Sequence, residues 1–182
     1  FIIIVINLKD MISEKVKIAL NQQIKIEGDS SQIYLAMASW AESEGFNGIA
    51  EFLYEHADEE RMHMLKLIKY INGRGGHAHV PLLDEPQNNY TTVREIFNLF
   101  LKHEEEVTKT IHELVELSLS ERDYSTYNFL QWYVAEQIEE EALASNILDK
   151  LKLIGDDRAG FYMFDRDLIN IKSGMGINEK DR

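Results

Sequence analysis

Four long stretches of this chain repeat apolar residues at alternating steps of three and four, and each breaks that stripe near its middle with a glutamate. The spacing is that of helices packing one face against other helices. The first stripe, within a helix expected from Ile12 to about Ser43, runs Val16, Leu20, Ile24, Glu27, Ser31, Tyr34 and Ala38, with Gln23 and Ala41 beside it. The second, ending near Asn72, runs Ile49, Leu53, His56, Glu60, His63, Leu67 and Ile71. The third begins near Thr92 and runs Val93, Phe97, Phe100, Glu104, Val107, Ile111, Leu114 and Ser118. The fourth, from about Tyr124 to Ile154, runs Thr126, Leu130, Tyr133, Gln137, Glu140, Ala144, Ile147 and Leu151. An all-α chain follows, with a four-helix bundle as its framework.

The connections set the topology. Gly45-Phe46-Asn47 and Ser120-Glu121-Arg122-Asp123 are short turns, with Ser13 and Asn47 as expected helix caps. The segment from 75 to 91 is long and carries Pro81 and Pro86. A helix of about 26 residues is about 39 Å long, and an extended segment of about 17 residues covers that distance. The crossover is therefore expected to traverse the bundle, with Val80, Leu82 and Leu83 against its flank, and to start the third helix parallel to the second. A short amphipathic fifth helix is expected from Ala159 to Ile171, and the tail beyond Lys172 is polar.

Midpoints of packed helices lie at one height whichever way each helix runs. Glu27, Glu60, Glu104 and Glu140 should then converge, joined by His63 and Gln137. Four buried like charges repel or take up protons unless cations neutralise them. Carboxylates with an imidazole suit iron, manganese or zinc better than magnesium or calcium. Each acidic run alone also reads as a solvated helix face; it is the matched placement in four apolar stripes that favours cations. His56 and His103 are expected to be packed histidines or supports behind the ligands rather than ligands, and His77 and His79 a solvated pair in the crossover. Tyr34 lies two turns from Glu27 on the same face, placed to donate a hydrogen bond or an electron.

Composition narrows the partners. The 182 residues suffice for one sizeable core. A formal net charge of −13 argues against nucleic acid and for cations. With no cysteine there is neither a disulfide framework nor a thiolate metal site, which points to a reducing, cytoplasmic compartment. The apolar start, Phe1 to Ile6, is too short to span a membrane and lacks the pattern of a signal peptide. Met11 looks like a natural initiator, so residues 1–10 are expected to be an extension, 11–174 the domain and 175–182 a polar tail.

The pieces His56-Ala57-x-Glu59-Glu60-x-x-His63-Met64, Lys102-His103-Glu104 and Asn128 to Glu141 (NFLQWYVAEQIEEE) resemble the ferritins, specifically the haem-free bacterial type. The resemblance covers nearly everything from Met11 to about Ile171. It implies a ferritin-like bundle with a fifth helix at about 157–171 lining four-fold contacts in a hollow shell of twenty-four subunits. It implies a first iron position at Glu27, Glu60 and His63, with Glu60 bridging. The second would use Glu104 and Glu140 with Gln137 alongside, and a third Glu59, Glu136 and Glu139 together with Glu140. The implied chemistry is oxidation of two Fe(II) ions by dioxygen or hydrogen peroxide, followed by storage of the ferric mineral. One departure is Gly28-Asp29 after Glu27, where the family has larger helix formers; Gly28 would loosen Glu27, and Asp29 would compete as a ligand.

Other classes fit less well. Substrate-oxidising di-iron proteins and rubrerythrin-like peroxidases repeat Glu-x-x-His on both halves, and here the fourth helix carries Gln137-Ile138-Glu139-Glu140 with no second histidine. The same gap disfavours a haem-containing bacterioferritin. A bundle used only for protein interaction, with wet acidic faces, is a third reading.

Overall fold

The computed structural model describes residues 12–168, which form five α-helices: α1 (Glu14–Ser43), α2 (Asn47–Gly73), α3 (Val93–Ser120), α4 (Tyr124–Ile154) and α5 (Arg158–Leu168). The expected extension at 1–10, the end of the fifth helix at Ile171 and the polar tail lie outside the described residues. Every residue of the four predicted stripes is buried. None of the described helices is long and apolar enough to cross a membrane.

Two apolar clusters fill the bundle, one on each side of its mid-height. One contains Tyr34, Phe52, Phe97, Phe100 and Ile147; the other contains Leu20, Ile24, Leu67, Ile111 and Leu130. Along α1 and α4 the chain passes from the second cluster to the first, and along α2 and α3 from the first to the second. Thus α3 runs parallel to α2, as the crossover length requires. The layer left between the clusters holds Glu27, Glu60, Glu104, Gln137 and Glu140.

Local chemistry sets the helix ends. Ser13 caps α1 by accepting from Val16 N, Thr92 caps α3 by accepting from Glu95 N, and Asp123 caps α4 by accepting from Thr126 N. The expectation for Asn47 fails, because this residue is already helical and no side chain of its own segment caps α2. Asp165 of α5 does so instead, its Oδ1 accepting from Ile49 N at 3.0 Å. That contact carries a charge to the positive end of α2 and seats α5 across the end of the bundle, where Phe164 and Leu168 are buried.

The crossover follows α1 for most of its length. His79 N donates to Asn21 Oδ1, Asp84 N donates to Asp29 Oδ1, and Tyr90 packs edge-on against Trp40. Leu83 is partly covered, but Val80 and Leu82 are 81% and 88% exposed, so only one of the three expected flank contacts forms. Gly28 gives that contact room: a Cβ there would lie 2.6 Å from Leu83 Cδ2, the movable end of its side chain. Asp29 is held by Lys25 Nζ at 2.5 Å and by the Asp84 amide, so it faces the crossover rather than competing for a metal. The Gly28-Asp29 pair is a docking device for the crossover, and Glu27 is packed, 1% exposed.

Gly48 makes the tightest approach of α5 to the bundle, since a Cβ there would sit 1.7 Å from the Asp165 carbonyl oxygen. In a helix interior, Gly→Ala ordinarily gains about 1 kcal/mol. Here Gly48→Ala is expected to lower Tm, because α5 must shift and the burial of Phe164 and Leu168, each roughly 1.5–3 kcal/mol, is weakened. Thermal melting together with amide exchange over 158–168 checks this; a raised Tm with α5 protection unchanged would contradict it.

Candidate functional site

Each of the four long helices delivers a carboxylate to the layer between the apolar clusters. Glu27, Glu60 and Glu104 are 1–3% exposed and Glu140 is 8% exposed. His63 Nδ1 lies 3.3 Å from Glu60 Oε2 and 3.8 Å from Glu27 Oε2. Ligand atoms of these three residues fall within 4.8 Å of one another, a spacing one cation can bridge. Gln23 Nε2 donates to Glu27 Oε1 at 2.9 Å, which holds that carboxylate on its helix. Tyr133 OH donates to the His63 carbonyl at 2.8 Å, and the edges of Trp132 and Tyr133 close one side of the imidazole.

Glu104 is held differently. Tyr34 OH donates to its Oε1, and Gln137 Nε2 donates to its Oε2 at 2.9 Å. Tyr34 therefore reaches the acid of α3 rather than Glu27 of its own helix. Gln137 orients Glu104, with its amide nitrogen spent on that bond and its carbonyl left as the only oxygen to offer an ion.

A second group forms around Glu140. His56, Glu59 and Glu140 bring ligand atoms within 4.8 Å of one another. His56 Nε2 lies 3.3 Å from Glu140 Oε2, the same separation as the His63–Glu60 pair. From its sequence position His56 is expected to pack in the core or to support a ligand from behind, not to join such a group. The signal that would have found it is its position one turn before Glu60 on the same stripe. Glu136 is half-buried and Glu139 exposed, and neither joins the two groups. His103 meets Ser30 Oγ at 2.8 Å, away from the acids.

The electrostatics follow from burial. Desolvation first, then the charge of Glu60, pushes Glu27 well above the usual carboxylate range. Desolvation and then Glu104 do the same to Glu60. Glu104 rises from its ordinary 4.5 to about 7, chiefly by burial and next through Glu140, while the Tyr34 and Gln137 hydrogen bonds work the other way. Without a cation, Glu27, Glu60 and Glu104 hold protons more readily than exposed carboxylates do.

That protonation has a sign. The folded chain holds protons that the unfolded chain, with its ordinary carboxylates, has released above 4.5; these groups therefore destabilise the metal-free fold progressively as pH rises from 4.5 through about 7. Tm of the metal-free protein is expected to fall over that window and to recover when a divalent cation displaces the protons. Calorimetry of Zn(II) binding at about pH 6 in buffers of different ionisation enthalpy is expected to show proton release. Binding heats independent of the buffer would contradict it.

A family model described as "Ferritin-like domain" matches residues 18–154. The chain is 44% identical, over 90% of its length and 99% of the relative's, to a probable bacterial non-haem ferritin-like protein of Haemophilus influenzae. It is 43% identical to the bacterial non-haem ferritin of Campylobacter jejuni, over 88% of this chain and 96% of that one. An open-pore ferritin from Archaeoglobus fulgidus superposes with a TM-score of 0.86 at 43% identity, covering 87% of this chain and 97% of that chain. With the five-helix bundle and its acidic layer, these similarities establish that the chain belongs to the ferritin family.

Proposed function

We propose that this protein stores iron and is a ferroxidase, oxidising Fe(II) to Fe(III) at paired positions in the mid-bundle layer. The observation that carries this is four buried carboxylates on four helices at one height, two of them paired with imidazoles at 3.3 Å. Iron is the substrate. Glu27, Glu60 and His63 hold the first ion, and Glu60 bridges. Glu104 and Glu140 hold the second, with Gln137 alongside fixing the Glu104 carboxylate. Glu59, Glu136 and Glu139 with Glu140 carry a third ion on the way to storage, a role that suits their greater exposure.

Two ions held side by side supply two electrons together. Dioxygen takes them with two protons and becomes hydrogen peroxide; hydrogen peroxide as oxidant takes them with two protons and becomes two waters. The carboxylates neutralise the positive charge that builds up as both ions are oxidised. Tyr34 OH, donating to Glu104, touches the layer where that charge changes and serves as a hydrogen-bond donor or one-electron donor. Oxygen-rich ligation favours release of Fe(III) into a mineral over retention as a fixed cofactor, and no haem is called for.

Self-association into a hollow shell, of twenty-four copies in the reading from the family, gives the mineral a compartment. Side chains such as Ile138, Leu153 and Tyr162, 67–87% exposed on the single chain, are consistent with further burial between copies. The absence of cysteine supports a cytoplasmic setting. Residues 11–174 are taken as the functional unit.

An organic-substrate oxidase is the weaker reading: four cavities along the crossover and at the α4–α5 end are lined by none of Glu27, Glu60, Glu104 or Glu140. Anaerobic loading with Fe(II) followed by air is expected to give rapid, saturable growth of ferric absorbance. Glu60→Ala and Glu140→Ala are each expected to slow it by at least about tenfold, the lower bound for disturbing a metal ligand set. Unchanged rates in folded variants would overturn the assignment, and a monomer or dimer by light scattering would overturn the shell.

A further inference from the structure

His56 is 1% exposed and packed between Phe52, at 4.1 Å between ring centroids, and Phe100, at 5.3 Å. Its Nδ1 lies 2.8 Å from the Phe52 carbonyl oxygen. A carbonyl only accepts, so Nδ1 carries the proton and donates it. In the neutral imidazole this leaves the lone pair on Nε2, and Nε2 makes no hydrogen bond. It faces Glu140 Oε2 at 3.3 Å without the alignment of a hydrogen bond.

A ring nitrogen that donates to a backbone carbonyl while the other nitrogen looks into a carboxylate cluster is the usual arrangement of a metal-binding histidine. The spacing also fits. Two ligand atoms 3.3 Å apart can share an ion at about 2.1 Å from each, at an angle of roughly 100°. An aromatic wall and a helix-internal hydrogen bond fix the ring in that direction, so little ordering remains when an ion binds.

Resting on the ferroxidase reading, we propose that His56 is itself a metal ligand. With Glu59 and Glu140 it builds a mixed nitrogen–oxygen position for a divalent transition ion, beside the one made by Glu27, Glu60 and His63. The layer then holds two imidazoles, both contributed by α2 and spaced seven residues apart, rather than one on each half of the bundle. The ion next to Glu140 is not held by oxygen alone. A nitrogen ligand there selects Fe(II), Co(II) or Zn(II) against the abundant magnesium and calcium, which favour oxygen.

The test uses the full, assembled chain and Co(II) as an anaerobic probe, read by its visible absorption and by equilibrium binding. In wild type, Co(II) is expected to fill the positions at His63 and at His56, among those of the layer, in the presence of excess magnesium. His56→Leu, which keeps the volume apolar, is expected to lose one Co(II) equivalent or to bind it at least about tenfold more weakly, while the equivalent dependent on His63 stays. A folded His56→Leu protein with unchanged stoichiometry, affinity and magnesium competition overturns the proposal. Should that variant fail to assemble, a wild-type crystal soaked in Co(II) decides. An anomalous peak within about 2.3 Å of His56 Nε2 supports the ligand role; a peak at His63 with none at His56 overturns it. Wild type that neither binds Co(II) nor oxidises Fe(II) takes down the ferroxidase reading itself, whereas wild type that oxidises Fe(II) with negative His56 results takes down this inference alone.

Discussion

The bundle is built around carboxylates that a core does not tolerate without neutralisation. Glu27, Glu60, Glu104 and Glu140 sit in one layer with apolar clusters above and below. Their burial drives Glu27 and Glu60 well above the ordinary carboxylate range and brings Glu104 to about 7. Carboxylates raised in this way release protons when a divalent cation binds them. The fold surrenders apolar contact at mid-height, and the two flanking clusters compensate for it.

The acids are aimed rather than merely gathered. Gln23 steadies Glu27, Tyr34 and Gln137 fix the two oxygens of Glu104, and Phe52 holds the ring of His56 from behind. Each of these partners is buried, so the ligands keep their directions before an ion arrives. Preorganisation of this kind keeps the cost of binding low and leaves the carboxylates free to respond as iron changes charge.

Much of the chain's length serves to hold this layer at one height. The crossover lets α3 run parallel to α2, and its footing on α1 includes the Gly28-Asp29 pair, where a missing side chain leaves room for Leu83 and a carboxylate holds the Asp84 amide. At the other connection, Asp165 closes the N-terminus of α2 from α5, and Gly48 lets the two backbones touch. Neither device was legible in the sequence. Asp29 looked like a rival ligand because it follows Glu27, and Asn47 looked like a cap because it opens a helix, but both depended on partners far along the chain.

By itself the sequence determined the number of helices, the faces they bury and the convergence of Glu27, Glu60, Glu104 and Glu140, with His63 and Gln137 beside them. Those features are periodic, and periodicity survives without coordinates because a helix fixes which residues share a side. Tertiary structure decided which atoms meet. It took Tyr34 to Glu104 rather than to Glu27, turned Asp29 outward, left Val80 and Leu82 in solvent, and set His56 Nε2 against Glu140 Oε2. A stripe specifies a direction toward the core, whereas a ligand pair depends on the register between helices far apart in sequence, and only packing fixes that register.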